Sequence, residues 1–479
     1  GEPAPPIWAR LGVDLALLAA AALVFAITTG AGYQLVLAPE GVPAISVSYW
    51  AFAGPALLWL GAALLTWRLA DLLLGPGRGW IARALRPLTG QLAGTIAAAM
   101  ARRRRPLVAA IVMLTVAIAF AVSTATFNAT YRHQAEVDAQ LTNGADVTVT
   151  AAPGSAPPAD TAAALAAIPG VRAVEPLQHR FAYIGADLQD LYGIRPATLT
   201  GATSLQDAYF PHSSAAAAMH TLTVTPDAVL VSAETVNDFQ LQPGDPLTLR
   251  IVDTATGQPR PVGFHYAGIV AEFPTAPKDS FFVANAAYLA QQTGAAAPQV
   301  LLVNTGGRDT AAIAARIRAV VGTSATVTDI GAVRASVGSS LTAVDLSGMT
   351  RIELSFALIL AVGAGALVLA LGLAERRRSY ALLRVLGARR THLRAMVFSE
   401  TGILTLVGVL AGAATGSVLS VMLVKVLRGV FDPPPDTLAI PWLYLAIVLA
   451  AAIGALGVVS AAAVAVITGR PTNAGLRDP

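Results

Sequence analysis

The sequence predicts an α-helical membrane protein with six transmembrane helices and an α+β extracytoplasmic domain. Three observations lead there. The chain of 479 residues is 55% hydrophobic and only 13% charged, with a mean hydropathy of +0.62. A soluble chain carries about a quarter charged residues. Six apolar runs each reach the ~20 residues that a helix needs to cross a hydrocarbon core of about 30 Å. The charge, finally, is sorted by region. Gly75–Arg105 and Glu375–Arg394 hold seven arginines each and one acid between them, whereas Tyr131–Met349 holds eleven basic and eighteen acidic residues. Arginine gathers beside spans on the cytoplasmic side. The two basic segments therefore lie inside and the acidic region outside. Topology accounts for a pI near 9.5, and no nucleic-acid partner is called for.

Taken in order, Gly1–Arg10 is a proline-rich lead-in to a first span over Val13–Leu37. A Pro/Gly turn (Pro39, Gly41, Pro43) leads to the second span, Tyr49–Leu74. Its Tyr49, Trp50, Trp59 and Trp67 include the interfacial aromatics expected near span ends. Asp14, Arg68 and Asp71 fall near those ends, where long side chains snorkel cheaply. An ion pathway is the sharper reading of these charges and the less favoured one. In Gly75–Arg105, the residues Ile81, Leu85, Leu88, Leu92 and Ile96 recur at helical spacing between arginines, which describes a helix lying in the membrane surface. Pro106 suits the first turn of a third span over Leu107–Phe127, and the helical pattern continues to about Leu141.

The polar region Thr142–Gly348 opens with a strand (Ala145–Thr150), a helix (Thr161–Ile168) and a strand (Val171–Glu175). The same order returns in Val300–Asn304, Thr310–Val321 and Ala325–Asp329. Two such units on one sheet make a ferredoxin-like βαβ core. Between them, Val229–Ser232, Pro246–Val252, Val262–Val270 and Phe281–Val283 read as strands, so residues 195–298 are expected to form an inserted β-rich subdomain. The chain then re-enters the membrane for spans over Leu354–Leu373, Met396–Leu427 and Trp442–Ile467. The fifth span carries Gly408, Gly412 and Gly416, small residues four apart that share one helix face and permit close packing. The expected domains are a two-helix hairpin (1–74), a basic amphipathic segment (75–105), a span with its stalk (106–133), the extracytoplasmic domain (134–348) and a C-terminal membrane domain (349–479).

The stretch Ala374–Arg394, AERRRSYALLRVLGARRTHLR, sits between the fourth and fifth spans. Tyr380, Leu383 and Leu386, with Leu382 and Val385, recur at three- and four-residue spacing, and Gly387 offers a stop. A short amphipathic helix is expected there. The pattern resembles the coupling segment of FtsX-like (MacB-type) ABC permeases, close to E-R-R-x-x-x-A-L-L-R-x-L-G-A-x-R-x-x-(I/L). Here it stands as Glu375-Arg376-Arg377, Ala381-Leu382-Leu383-Arg384, Leu386-Gly387-Ala388, Arg390 and Leu393. The resemblance implies that Glu375, Arg377, Leu382, Leu383, Arg384, Leu386, Gly387 and Ala388 dock on a separate cytoplasmic ATPase. It also implies an extracytoplasmic core of the MacB-like kind with an inserted lobe. Residues from about Gln91 onward match one complete unit of the family, and the two spans in front resemble the middle pair of a ten-span, two-unit permease. A second permease unit, upstream on the same protein or on another copy, is therefore an expected partner.

Other chemistry finds little support. The chain has no cysteine, so thiolate metal sites, disulfides and cysteine nucleophiles are excluded. Its two lysines, Lys278 and Lys425, stand outside any G-x-x-x-x-G-K-(S/T), so it has no phosphate loop of its own. The six histidines are scattered. No catalytic, cofactor-binding or metal site is expected, and ATP hydrolysis is assigned to another subunit. Export of a lipid, lipoprotein, peptide or drug from the outer side of the cell membrane is the first functional reading. Regulation of an extracytoplasmic partner, such as a cell-wall hydrolase, is the alternative. A receptor with inert cytoplasmic loops is a third, which the coupling pattern disfavours.

Overall fold

The computed structural model describes residues 6–30, 36–37, 43–44, 52–152, 155–277, 279–339, 390–427, 435 and 437–469, with 355, 356, 359, 363 and 431. The chain divides into two units. One is Gly1–Arg132, Asp345–Phe431 and Thr437–Pro479; the other is His133–Val344 with Asp432–Asp436.

The first unit is helical. A short α1 (Ile7–Arg10) precedes α2 (Val13–Gly30), and the two-residue strands β1 (Val36–Leu37) and β2 (Pro43–Ala44) pair antiparallel. The expected first span is thus corrected at its end. Thr28-Thr29-Gly30 combines β-branched residues and glycine, which weaken a helix, and Val36–Leu37 is strand. Next come α3 (Ala53–Leu74), α4 (Arg78–Thr89), α5 (Ala93–Arg102) and α6 (Arg104–Asn143). The expected single surface helix in 75–105 is corrected too. Gly90 takes φ 57° and ψ −127°, open to glycine alone, and breaks the segment into two helices. Ile81, Leu85, Ile96 and Met100 turn into one core with Leu74, Leu107 and Ile111, while Leu88 is left 82% exposed.

Two long helices complete this unit, α13 (Arg390–Val426) and α14 (Trp442–Gly469). Among the described residues, four helices are long and apolar enough to span: Ala53–Leu74, Arg104–Asn143, Arg394–Val426 and Trp442–Ala462. The apolar part of α2, Val13–Thr28, is shorter. The expected span Leu354–Leu373 lies almost wholly outside the described residues. Within its most apolar stretch α6 is 61% buried, against 22–39% for the other three. It is the central helix of the bundle.

The second unit is built on β3 (Val147–Ala151), α7 (Thr161–Ala166), β4 (Ala173–Ile184), β5 (Asp187–Ile194), α8 (Ala215–Val224), β6 (Ala228–Ser232) and α9 (Ala233–Phe239). It continues through β7 (Pro246–Val252), β8 (Pro259–Val270), β9 (Phe281–Asn285), α10 (Ala286–Thr293), β10 (Val300–Asn304), α11 (Thr310–Val321), β11 (Ala325–Asp329) and α12 (Ile330–Ser339). Four strands lie in the order β11-β3-β10-β4, every neighbour antiparallel. Ile313, Ala314 and Ile317 of α11 and Leu165 of α7 pack on Val147, Val149, Leu301 and Val303.

The twelve-residue β4 serves two sheets. Ala173–Leu177 pairs with β10, and Gln178–Ile184 pairs with β5. From β5 the pairing runs through β9, β6, β8 and β7, and β7 returns to β4 at Ala182↔Ile251 and Tyr183↔Arg250. Six strands thereby close into a barrel, leaving no open edge. Its lining includes Ile184, Leu191, Val229, Leu249, Ile251, Phe264 and Phe282. The period-two alternation of strands explains why β6 and β9 are buried on both faces. Val229, Val231 and Phe282 face the barrel core, while Leu230, Phe281 and Val283 join a second core with Val137, Leu141, Tyr192 and Phe273. The barrel draws on 178–194, ahead of the expected insert at 195–298.

Candidate functional site

The expected coupling residues Glu375, Arg377, Leu382, Leu383, Arg384, Leu386, Gly387 and Ala388 lie outside the described residues. The structure does place the glycine row of the fifth span. A Cβ added at Gly408 would stand 2.8 Å from the Leu114 side chain. At Gly412 it would stand 2.7 Å from Ile118 Cβ and 2.9 Å from the Thr115 carbonyl, and at Gly416 2.7 Å from Val122 Cβ and 2.8 Å from the Ala119 carbonyl. Gly408, Gly412 and Gly416 on α13 thus face Leu114, Ile118 and Val122 on α6, two rows of matching four-residue spacing. Thr115 Oγ1 donates across the gap to the Gly408 carbonyl at 3.3 Å. Absent side chains let two backbones approach this closely, which is how helices associate where no hydrophobic drive separates them from lipid. Gly402, on the same helix, meets nothing within 4 Å.

Two acids of the N-terminal helices are paired with arginines. Asp14 is fully buried and its Oδ1 accepts from Arg68 Nη2 at 2.5 Å, and the same guanidinium donates to the Ala9 carbonyl at 2.6 Å. Arg104 Nε meets Asp71 Oδ1 at 3.2 Å. The expected snorkelling is corrected for Asp14: a carboxylate too short to reach the interface is paired instead. Breaking such a buried pair costs about 3–5 kcal/mol. Between α13 and α14, Thr401 and Ser460 share a hydrogen bond of 2.8 Å, beside buried Glu400. Glu400 was not singled out in the sequence, although an acid inside an apolar run was the signal that could have found it.

In the second unit the last turn of α6 is gripped. Thr275 N donates to the Leu141 carbonyl at 2.9 Å, Asn143 Nδ2 donates to the Ala145 carbonyl at 2.7 Å, and Tyr192 Oη donates to the Thr275 carbonyl at 3.0 Å. Burial, then the charge of Asp190, pushes the Tyr192 phenol well above its usual range, so it stays a donor. Farther back on α6, Glu136 takes a bidentate pair from Arg334 of α12, with Nε to Oε2 at 2.6 Å. On β4, buried Glu175 accepts from Arg195 Nε and Nη2 at 2.8 and 2.9 Å and from Thr198 at 3.0 Å.

The loop between β10 and α11, Asn304-Thr305-Gly306-Gly307, looks like a phosphate cradle: two successive glycines with φ of 70° and 71° lead to a helix. Its donors are already taken. Asp146 Oδ2 accepts from Thr305 N at 2.8 Å and Gly307 N at 2.9 Å, and Asn304 Oδ1 accepts from Gly306 N. The loop is a structural clasp. Among the described residues no group of His, Asp or Glu could hold a metal.

Residues 351–472 match the family described as FtsX-like permease C-terminal. The match takes in the coupling pattern Glu375–Leu393 and helix α13, so the resemblance to FtsX-like permeases stands on the segment that carries the motif. No curated protein matches the chain. Among solved structures, the extracellular domain of the noncanonic ABC-type transporter YknZ from Gram-positive bacteria aligns at 13% identity with a TM-score of 0.26, covering 38% of this chain and 99% of that one. A likeness that loose carries no argument. With four helices able to span, the chain is a membrane protein with an FtsX-like permease segment at its C-terminal end.

The glycine row generates a paired test. Gly412→Leu forces a side chain against the Thr115 carbonyl and Ile118, whereas Gly402→Leu enters open space. In detergent, thermal unfolding of the Gly412→Leu protein should come several degrees earlier, for an overpacking cost of about 1–3 kcal/mol, while Gly402→Leu melts with the parent. Equal melting of the two variants would mean that the close approach contributes nothing.

Proposed function

We propose that this protein is the permease subunit of an ABC transport system, and that it passes ATPase-driven motion across the membrane to its extracytoplasmic domain. The observation that carries the proposal is the family match over 351–472, which brackets the pattern Glu375–Leu393. The segment seats in a groove of a cytoplasmic ATPase, with Leu382, Leu383 and Leu386 as apolar anchors, Arg384 as a charged contact and Gly387 closing the helix. Few apolar residues at three- and four-residue spacing supply most of the energy of such a contact. Glu375, Arg377 and Ala388 complete it.

In this reading the chain crosses the cell membrane six times, with 75–105 and 375–394 inside and 134–348 outside. The four-stranded sheet in the order β11-β3-β10-β4, with α7 and α11 as its two crossovers, supports a ferredoxin-like core. The row Gly408–Gly412–Gly416 is the packing face through which α13 moves α6, and α6 moves the domain beyond it. The motion serves export of a lipid, lipoprotein, peptide or drug. Asp14 and Arg68 are paired with each other, which favours transmission over conduction.

The coupling test is Leu383→Asp, which places an unpaired carboxylate at the centre of the contact. The variant should reach the membrane in the parent's amount yet lose about tenfold or more of its co-purified ATPase, on the scale of a hot-spot residue. ATP hydrolysis should fall with it. Retention of the partner and of full activity would overturn the coupling role and put the receptor reading ahead.

Topology is tested separately, because in a chain without cysteine an introduced thiol is unique. Asn237→Cys should react with an impermeant maleimide on intact cells, and Ser379→Cys only once the membrane is opened. The reverse pattern would invert the assignment.

A further inference from the structure

We propose that residues 273–276 form a locked joint that fixes the β-barrel to the last turns of α6, residues 133–143, so that those turns and the barrel move as one rigid arm. The inference adds a part to the mechanism above and, in its geometry, stands apart from it. A helix leaves its last carbonyls without intrahelical partners, and water ordinarily takes them. Here the Leu141 carbonyl is taken by the Thr275 amide at 2.9 Å. Thr275 is a β-branched residue held at φ 67°, a conformation that such residues avoid and that persists only where the surroundings over-determine it.

The surroundings do so from both sides. Toward α6, Gly144 sits at φ 82°, and a Cβ there would stand 2.5 Å from Thr275 Cγ2, so the chain can turn out of the helix beside Thr275 only as glycine. Toward the barrel, the Thr275 carbonyl accepts from Tyr192 Oη at 3.0 Å. Tyr192 is 1% exposed and cannot swing away. Its ring lies flat on His179, with centroids 4.8 Å apart and planes 3° apart, and meets Phe281 edge-on. His179 is itself tied to Asp190 at 2.5 Å. Phe273 packs in the same core as Val137 and Leu141 of α6. Hinges show the opposite features: few buried contacts and backbone bonds open to water. A second tie, Arg334 to Glu136, holds the returning helix α12 against α6 within the same unit, so that α6 carries both.

The test reads the arm directly and needs no ATPase, so it can fail or succeed whatever becomes of the coupling role. Nitroxides are placed on His133→Cys and Asp238→Cys, both exposed, one on α6 and one at the barrel's α9. The full-length chain is studied in lipid nanodiscs by pulsed electron resonance. The parent should give a single narrow distance. Tyr192→Phe keeps the ring and removes the donated bond; Thr275→Gly keeps the left-handed turn and frees the loop. Together they should broaden the distribution about twofold by releasing the joint. A broad or two-peaked distance in the parent would overturn the joint, as would a double variant as narrow as the parent. Should the double variant fail to fold, the parent's distance decides alone.

Discussion

Everything in the membrane half depends on how closely α13 approaches α6. Three successive turns of α13 present no side chain at Gly408, Gly412 and Gly416, and Leu114, Ile118 and Val122 fill the row they leave. Contact at this distance is set by backbone atoms, with the Thr115 and Ala119 carbonyls under 3 Å from where a Cβ would be, so it admits little sliding. The partner helix α6 has 40 residues. At 1.5 Å per residue it is about 60 Å long, roughly twice the hydrocarbon thickness. Its close packing on α13 belongs to the first unit, and its last residues, 133–143, belong to the second. On the proposed mechanism, a push that α13 receives beside the coupling segment has a stiff element to act on.

The charges obey the same economy. Two carboxylates of the N-terminal helices, Asp14 and Asp71, are each matched by an arginine, Arg68 and Arg104, from another helix. Removing a charge from water is tolerable only with a partner in good geometry, and the Asp14–Arg68 pair is one-sided, with Asp14 Oδ2 and Arg68 Nε buried without a hydrogen-bond partner. Arg104 opens α6 and Asp71 closes α3, and the pair therefore anchors the central helix at its start. In the second unit the corresponding anchors are Glu175–Arg195, which ties the shared strand β4 to the loop after β5, and Asp146, whose carboxylate clasps the 305–307 loop.

Local signals were readable in the sequence; long-range closure was not. The bounds expected for β10, α11 and β11 coincide with the structure. β4 looked short because Pro176 interrupts its pattern, and β5 was missed because Asp187, Gln189 and Asp190 hide its alternation; Gln189 is buried and accepts from Thr235 Oγ1 at 2.9 Å. The pairing of β7 with β4 joins residues with some seventy positions between them, and no local pattern announces it. Leu88 fitted a helical stripe until Gly90 turned the chain. The glycine spacing in α13 could be marked, yet nothing in it named Leu114, Ile118 and Val122. Thr275 and Tyr192 gave no sign at all, since strain and burial are properties of the folded chain.

The central claim is that motion begun at the cytoplasmic segment arrives at the outer end of α6. Hydrogen exchange on the reconstituted permease and its ATPase measures this directly, by comparing the nucleotide-free complex with one trapped after ATP binding. The account predicts altered amide protection in three places together: residues 374–394, the α6–α13 contact, and the stalk ends at 133–143 and 330–339. A response confined to 374–394, with both stalk ends unchanged, would contradict it.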